Sequence, residues 1–218
     1  MNNYKIRRSS RAKKIKLVAK PEGIELVLPQ FVPEIMGKAF ASLHKDWIEK
    51  HSKKSKNALP SIPVEDGAAV FFMGEAKFRL QIKETNKKSY YEKRSEDLVI
   101  YLKTKNKKEI LDLIEKFYRE EAKRYLQERT ESFSKKLDTS FGRITIRGQS
   151  TRWGSCSSKG NLSYNWKIMK EPCDVIDYLV IHELCHRLEM NHSKKFWKLV
   201  ESLDPDYKIH RKALNGKY

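Results

Sequence analysis

The stretch that most constrains this chain is residues 181–192, which contains His182, Glu183 and His186 in the pattern H-E-x-x-H. Two histidines four residues apart stand one turn above the other on the same face of a helix. Their imidazoles can therefore converge on one metal ion at about 2.0–2.1 Å, the usual zinc–nitrogen distance. A glutamate directly after the first histidine lies beside that ion, where it can take a proton from metal-bound water. The pattern predicts a metal site with a general base.

The residues around this pattern predict a buried helix. Residues 175–184 are apolar on nearly every side, which is typical of a helix in the interior of a domain. Pro172 suits the first turn, and Asp174 and Asp177 place negative charge near the positive end of the helix. A histidine and a glutamate are costly to bury on such a helix without partners. A metal ion supplies the partner.

A tetrahedral catalytic site needs a third protein ligand and leaves its fourth position to water. We favour His192, which requires the helix to end near Met190 and the chain to turn back. We expect Asn191 to allow that turn, because asparagine tolerates the left-handed conformation that ends helices. Glu189, on the same helical face, and Glu201, on the following helix, remain alternative ligands. Three histidine nitrogens favour zinc as the metal.

The residues after the turn predict a second helix over residues 194–203. Ser193 is placed to cap it, and four apolar residues form a stripe along one face. The members of this stripe are Phe196, Trp197, Val200 and Leu203.

Several short motifs together resemble the YgjP-like metallopeptidase family, which is related to the WLM and SprT-type zincins. They are HELCH at 182–186, NHS at 191–193, FW at 196–197, RWGSC at 152–156, NW at 165–166, DY at 177–178 and RRSSR at 7–11. The histidine spacing also equals that of the metzincins, but Glu189 replaces the glycine at their bend, which argues against that group. The resemblance implies an α+β, zincin-like fold.

This resemblance implies a zinc-dependent hydrolase, with peptide-bond cleavage as the leading reaction. In that reading His192 completes the ligand set with His182 and His186, and Glu183 activates metal-bound water. Zincin-like enzymes place an edge strand beside the metal, so that an extended peptide or protein substrate can pair with its main chain. We expect the hairpin within residues 152–168 to supply that edge strand.

Four further side chains are candidates for the site. Arg152 could stabilise negative charge on a reacting oxygen, because arginine stays protonated. A structural arginine that bridges the hairpin to an acidic residue fits Arg152 equally well. Tyr178 lies four residues before His182, where either a contact with the ligand or simple burial explains it. Tyr207 and His210 could reach the cleft from a last helix, but we assign them no role.

Two alternatives change the function. Members of the family that this chain resembles have also been described as nucleoside-triphosphate pyrophosphatases, and a basic protein suits a polyphosphate. Such chemistry normally uses magnesium or manganese held by carboxylates, whereas three histidines favour zinc. The other alternative is a non-enzymatic nucleic-acid-binding protein with a structural metal. Glu183 argues against it, because a structural site needs a fourth ligand and has no use for a general base.

Composition limits the partners and the compartment. The formal net charge is +18, with lysine and arginine spread along the chain, which predicts nonspecific attraction of nucleic acid or nucleotides. No run of 18 apolar residues exists, so we expect no membrane span. The first residues lack the apolar core of a secretion signal. Three cysteines without C-x-x-C spacing fit a reducing cytoplasm.

Hydrophobic periodicity predicts a β-rich N-terminal lobe over residues 1–104 and a second domain over residues 105–218, for which the resemblance implies a zincin-like metallohydrolase. The predicted elements begin with strands over 4–28 that form an antiparallel hairpin with a turn at 21–23, a helix over 33–50 and a loop over 51–67. Strands follow over 69–73, 77–83 and 97–102, with a mobile polar hairpin end over 84–96, and then a helix over 106–136 and strands over 142–147, 152–156 and 161–168. In the helix over 33–50 we expect a buried face formed by Ile35, Met36, Phe40, Leu43, Trp47 and Ile48.

Overall fold

The computed structural model describes residues 4–20, 23–54, 62, 64–149 and 151–215. These residues form ten strands and six α-helices in a mixed arrangement, which confirms the α+β class. The chain divides into two compact units, one up to residue 59 and one from residue 60. The boundary that we predicted at residue 104 does not coincide with this division. The loop predicted over residues 51–67 is helical up to Lys54, and its residues 55–61 and 63 lie outside the described part.

The first unit is a three-stranded sheet with two helices. Its elements are β1 (Tyr4–Ser9), β2 (Lys16–Lys20), β3 (Gly23–Pro29), α1 (Glu34–Leu43) and α2 (Lys45–Lys54). β3 is central, antiparallel to β2 and parallel to β1, and Leu17 lies opposite Leu26. The predicted hairpin is therefore confirmed, although residues 21 and 22 of its turn lie outside the described part. Alternate β3 residues, Leu26 among them, form the core of this unit.

The single helix predicted over residues 33–50 is two helices, α1 and α2, which meet at His44. The predicted buried face is wrong for Ile35, Met36 and Leu43, whose exposed fractions are 76%, 55% and 83%. The small residues of α1 face the sheet instead. A Cβ at Gly37 would lie 2.5 Å from a methyl group of Leu28, so this helix packs on β3 through its backbone.

The second unit contains two sheets and four α-helices among its described residues. Its elements are β4 (Ala69–Phe72), β5 (Glu75–Glu84), β6 (Tyr90–Lys93), β7 (Asp97–Leu102), α3 (Lys107–Lys136), β8 (Ile144–Arg147), β9 (Gly154–Cys156), β10 (Leu162–Asn165), a 3-10 helix (Trp166–Lys170), α4 (Cys173–Cys185), α5 (Lys194–Leu203) and α6 (Tyr207–Leu214). The strand orders are β4-β5-β7-β6 and β8-β10-β9. The predicted strands are confirmed, except that residues 166–168 turn into the 3-10 helix.

The mobile hairpin end predicted over residues 84–96 contains strand β6, and the flanking strands β5 and β7 pair in parallel, so that prediction is wrong. β6 pairs with β7 in antiparallel register, with Tyr91 opposite Ile100. The rings of Tyr90 and Tyr101 stack with their centroids 4.6 Å apart. Cross-strand aromatic pairs of this kind stabilise a sheet edge that polar composition alone does not reveal.

Helix α3 and the 3-10 helix join the first sheet of this unit to the second. The Tyr118 hydroxyl on α3 donates a hydrogen bond to the carbonyl oxygen of Phe71, 2.5 Å away. The Met73 amide donates to the Met169 carbonyl at 2.7 Å. These bonds explain why β4–β7 belong to the same unit as the H-E-x-x-H helix. Of the helices described, none is long and apolar enough to cross a membrane.

Candidate metal centre

Helix α4 carries the first two histidines and ends earlier than predicted. It ends at Cys185, with His186 as its C-cap, whereas we placed the end near Met190. Two amides beyond the end, those of Leu188 and Glu189, donate to the Cys185 carbonyl at 3.0 and 2.9 Å, and this tight turn redirects the chain. The left-handed conformation expected at residue 191 is not adopted, since Met73 and Asp138 alone have positive φ among the described non-glycine residues.

The turn brings three histidines together. One ring nitrogen from each of His182, His186 and His192 lies within 4.8 Å of the others. The Nε2 atoms of His182 and His192 are 3.0 Å apart. Among the described residues, these three histidines form the group of side chains that could share a metal ion. Neither Glu189 nor Glu201 belongs to that group. The geometry therefore favours His192 over both alternative ligands.

Neighbouring groups orient two of the imidazoles. The Nδ1 atom of His186 lies 3.2 Å from the carbonyl oxygen of Glu189. A carbonyl can only accept, so Nδ1 carries the proton and Nε2 keeps a lone pair for a metal. The Tyr178 hydroxyl lies 3.4 Å from Nδ1 of His182. Such contacts fix ring orientation and raise ligand basicity in metal sites. Tyr178 thus contacts a histidine of the cluster in addition to being buried.

Helix α5 supplies an aromatic wall behind the histidines. Ser193 caps this helix, as predicted, by accepting a hydrogen bond from the Phe196 amide at 3.3 Å. The buried ring of Phe196 lies 5.0 Å from the ring of His182, between centroids. Trp197 stacks with His192 at 5.6 Å and an interplanar angle of 24°. The predicted apolar stripe therefore packs directly against the cluster.

This packing keeps His182 neutral. Burial is the main cause that lowers the pKa of His182 to about 3, and the neighbouring charges of His186 and His192 act in the same direction. Burial is also the first cause of the lowered pKa of His192. A neutral imidazole is the form that binds a metal ion.

Glu183 points into the interior beside the histidines. It is only 4% exposed, and its Oε2 atom has no hydrogen-bond partner among the described residues. Burial raises the pKa of this carboxyl to about 8, while the positive charge of Arg152 acts in the opposite direction. A buried carboxyl oxygen without a donor is costly, and such groups concentrate at functional sites. Strand β9 closes one side, because a Cβ at Gly154 would overlap the Glu183 carboxylate.

Strands β9 and β10 form the predicted antiparallel hairpin, with Ser155 opposite Ser163. β9 is an outer strand of its sheet and is the one that carries Gly154 against Glu183. Arg152 lies just before this strand with an exposed side chain, and its charge reaches Glu183. The structure places Arg152 two residues before Gly154, and both interpretations of its role stay predictions.

Helix α6 contributes two further residues, His210 and Arg211. His210 is held by Asp204 at 2.8 Å and Asp174 at 3.3 Å, so it connects α6 to α4 and does not join the cluster. Arg211 belongs to none of the predicted sites. Its Cζ lies 4.5 Å from the centroid of the Trp197 ring. Arg211 belongs to no recognised motif. The one sequence signal for it is its position four residues after Tyr207, which places both residues on the same face of α6.

The residues of this centre fit a metal ion. They offer imidazole nitrogens that converge, contacts that orient two of the rings, and a buried carboxyl group with one oxygen that has no partner among the described residues. This combination of an α+β fold and a three-histidine cluster defines a class of metal-binding proteins. Imidazole donors of this kind suit zinc and other first-row transition metals.

Comparisons with known proteins identify the family. A family model described as the YgjP-like metallopeptidase domain matches residues 13–217, so the chain belongs to the YgjP-like metallopeptidase family. This confirms the resemblance drawn from the motifs and supports a metal-dependent hydrolase. The crystal structure of the metallopeptidase zymogen of Pyrococcus abyssi abylysin is similar over 40% of this chain and 87% of that chain, with 22% identity and a TM-score of 0.37. No curated protein matches the chain significantly.

Proposed function

We propose that this protein is a zinc-dependent metallopeptidase with a zincin-like site. His182, His186 and His192 hold the ion, and Glu183 is the general base. The observation that carries the proposal is the buried carboxyl group of Glu183, which directly follows His182 of the cluster and has one oxygen without a partner among the described residues. A structural metal site has no use for such a group.

The reaction divides between the ion and the side chains around it. When bound, zinc supplies Lewis acidity that lowers the pKa of a water molecule and polarises the scissile carbonyl. Glu183 Oε2 accepts a proton from the attacking water and later delivers it to the leaving nitrogen. The Glu189 carbonyl and the Tyr178 hydroxyl keep two imidazoles oriented. Phe196 excludes water from behind the rings.

The proposed substrate is an extended segment of peptide or protein that pairs with strand β9. This outer strand runs past Glu183, so main-chain pairing would place a peptide bond beside the base. The positive charge of Arg152, which acts on Glu183, stabilises the negative charge that develops on the carbonyl oxygen of the substrate.

The variant Glu183→Gln tests this proposal. It keeps the size of the side chain and removes the base, so zinc content should stay at the wild-type level while peptide hydrolysis falls by a factor on the order of 10² or more. Glu189→Gln is the matched control, because Glu189 contacts His186 through its backbone carbonyl. Zinc is measured by elemental analysis and turnover with unfolded proteins and fluorogenic peptides. Wild-type turnover in Glu183→Gln would remove Glu183 from the mechanism.

The net charge of +18 favours a second candidate substrate, a nucleoside triphosphate, or nonspecific binding of nucleic acid. The same panel therefore includes triphosphates with magnesium or zinc supplied. Pyrophosphate release that survives loss of zinc would favour this candidate. Salt-sensitive binding of DNA or RNA without turnover would favour the nucleic-acid alternative.

We also propose a cytoplasmic location. All three cysteines, Cys156, Cys173 and Cys185, have free thiols. A reducing compartment keeps thiols in this form.

A further inference from the structure

Helix α6 places a guanidinium group one aromatic ring away from the metal centre. Arg211 lies over Trp197, with 4.5 Å between Cζ and the ring centroid. The Trp197 ring lies in turn 5.6 Å from the ring of His192 and 5.9 Å from that of His182, between centroids. Stacking on an aromatic ring holds a guanidinium in a defined plane and leaves its N–H donors available at the edge.

Several arginines of the second unit have an acidic partner, and Arg211 has none among the described residues. Arg129 is paired with Asp177 at 2.5 Å, and Arg119 with Glu115 at 2.7 Å. Among the residues that the structure describes, no carboxylate forms an ion pair with Arg211, and its side chain is exposed. The nearby acidic residue Asp204 is engaged by His210.

The centre as a whole carries excess positive charge. Arg152 lies two residues before Gly154, which packs on Glu183, and Arg211 stacks on Trp197 beside His182 and His192. Imidazole ligands add no negative charge to that of a divalent ion. An anionic group on the substrate is therefore favoured at this centre.

We propose that Arg211 binds a carboxylate of the substrate next to the scissile bond, so that the protein prefers peptides with negative charge at that position. This rests on the proposed peptidase function. A guanidinium that is planar, always charged and free at its edge matches a carboxylate with two parallel hydrogen bonds. The carboxylate comes from an acidic side chain or from the free C-terminus of a short peptide.

The test compares peptides that differ in one group. One pair carries Glu or Gln beside the scissile bond, and a second pair ends in a free carboxylate or an amide. Wild type should cleave the charged member with a kcat/KM higher by a factor on the order of ten, mainly through a lower KM. Arg211→Gln should lose this preference, and Arg211→Lys should keep part of it. Which pair responds identifies the source of the carboxylate.

Lys212→Gln is the matched control, because it removes the same charge from the next position on α6 and should leave the preference intact. Zinc content is measured in every variant, and Arg211→Lys replaces Arg211→Gln as the decisive variant if the glutamine form loses zinc. Equal kcat/KM for both members of each pair in wild type, or an unchanged preference in Arg211→Gln, overturns the proposal.

A binding measurement separates this proposal from the peptidase function. The same peptides are titrated into zinc-loaded Glu183→Gln protein, with and without Arg211→Gln, by calorimetry. Tighter binding of the charged peptides that disappears with Arg211→Gln supports the carboxylate site even if wild type cleaves no peptide. Equal affinity for charged and uncharged peptides rejects it, whatever the turnover.

Discussion

The contact between Gly154 and Glu183 offers a sharp test of how the base is positioned. Gly154 begins strand β9, and a Cβ built on it would lie 2.8 Å from both Cγ and Cδ of Glu183. Carbon atoms at that separation overlap, since non-bonded carbons prefer about 3.5–4.0 Å. The Glu183 side chain is buried, so it has little room to retreat. We therefore expect Gly154→Ala to displace the carboxylate.

The size of the effect follows from the cost of overpacking. Inserting one methyl group into a packed interior typically costs about 1–3 kcal/mol. If the displaced carboxylate has to return to its place to take a proton, the same free energy is lost from transition-state stabilisation. That corresponds to a loss in kcat/KM of about 5- to 150-fold. The three atoms nearest to the new methyl group all belong to Glu183, so zinc affinity should change much less.

Kinetics and zinc titration on purified Gly154→Ala test this expectation, with Ser155→Ala as the control from the same strand. Circular dichroism at the assay temperature shows whether both variants are folded. A folded Gly154→Ala protein with wild-type kcat/KM would refute the reasoning, because the base would then not depend on close packing against β9. A loss of zinc equal to the loss of activity would also refute it.

Three further outcomes are expected. Tyr178→Phe removes the hydroxyl beside His182 and should weaken zinc binding about 10-fold or more, measured by competition with a chelator. Removing the metal should lower the melting temperature, and added zinc should restore it in a concentration-dependent way, because the ion binds the folded state. His210 has a raised pKa, since its hydrogen bond to Asp204 and nearby acidic charges outweigh burial. Its stabilising contribution is therefore complete below pH about 6.5 and is lost as pH rises through the folded pKa, so the difference in unfolding free energy between wild type and His210→Gln should shrink from pH 5.5 to 8.5.

Sequence patterns predicted the parts of the fold that depend on neighbours along the chain. Asn106 caps α3 by accepting a hydrogen bond from the Lys108 amide at 2.9 Å. Ser193 caps α5, and the β9–β10 hairpin has the expected antiparallel pairing. Caps and short hairpins are fixed by residues within a few positions, so their signals are complete in a short stretch of sequence.

The hydrophobic patterns misled where a helix has two possible buried faces, one formed by large apolar residues and one by small residues. In α1, the large residues Ile35 and Leu43 gave the stronger hydrophobic signal, yet Gly37 and Ala41 face the sheet. Close approach of a helix backbone to a strand rewards small residues, which a hydrophobic periodicity does not weigh. The early end of α4 was missed for a related reason, because its turn is held by backbone bonds to Cys185 rather than by a residue type with a known preference.

The features of the candidate site also fall into two kinds, those that a short stretch of sequence reveals and those that depend on tertiary contacts. His182, Glu183 and His186 could be recognised because their helical spacing alone brings them together. The properties that would make Glu183 a base come from elsewhere: Gly154, 29 residues earlier, covers its carboxylate, and Arg152 supplies the opposing charge. Arg211 reaches the cluster only through its contact with Trp197. Ligand identity is therefore local information, whereas the burial and charge that set the reactivity of the site arise from tertiary contacts. Substitutions at Gly154 or Arg211 should accordingly change activity or substrate preference while leaving the histidine cluster able to bind its ion.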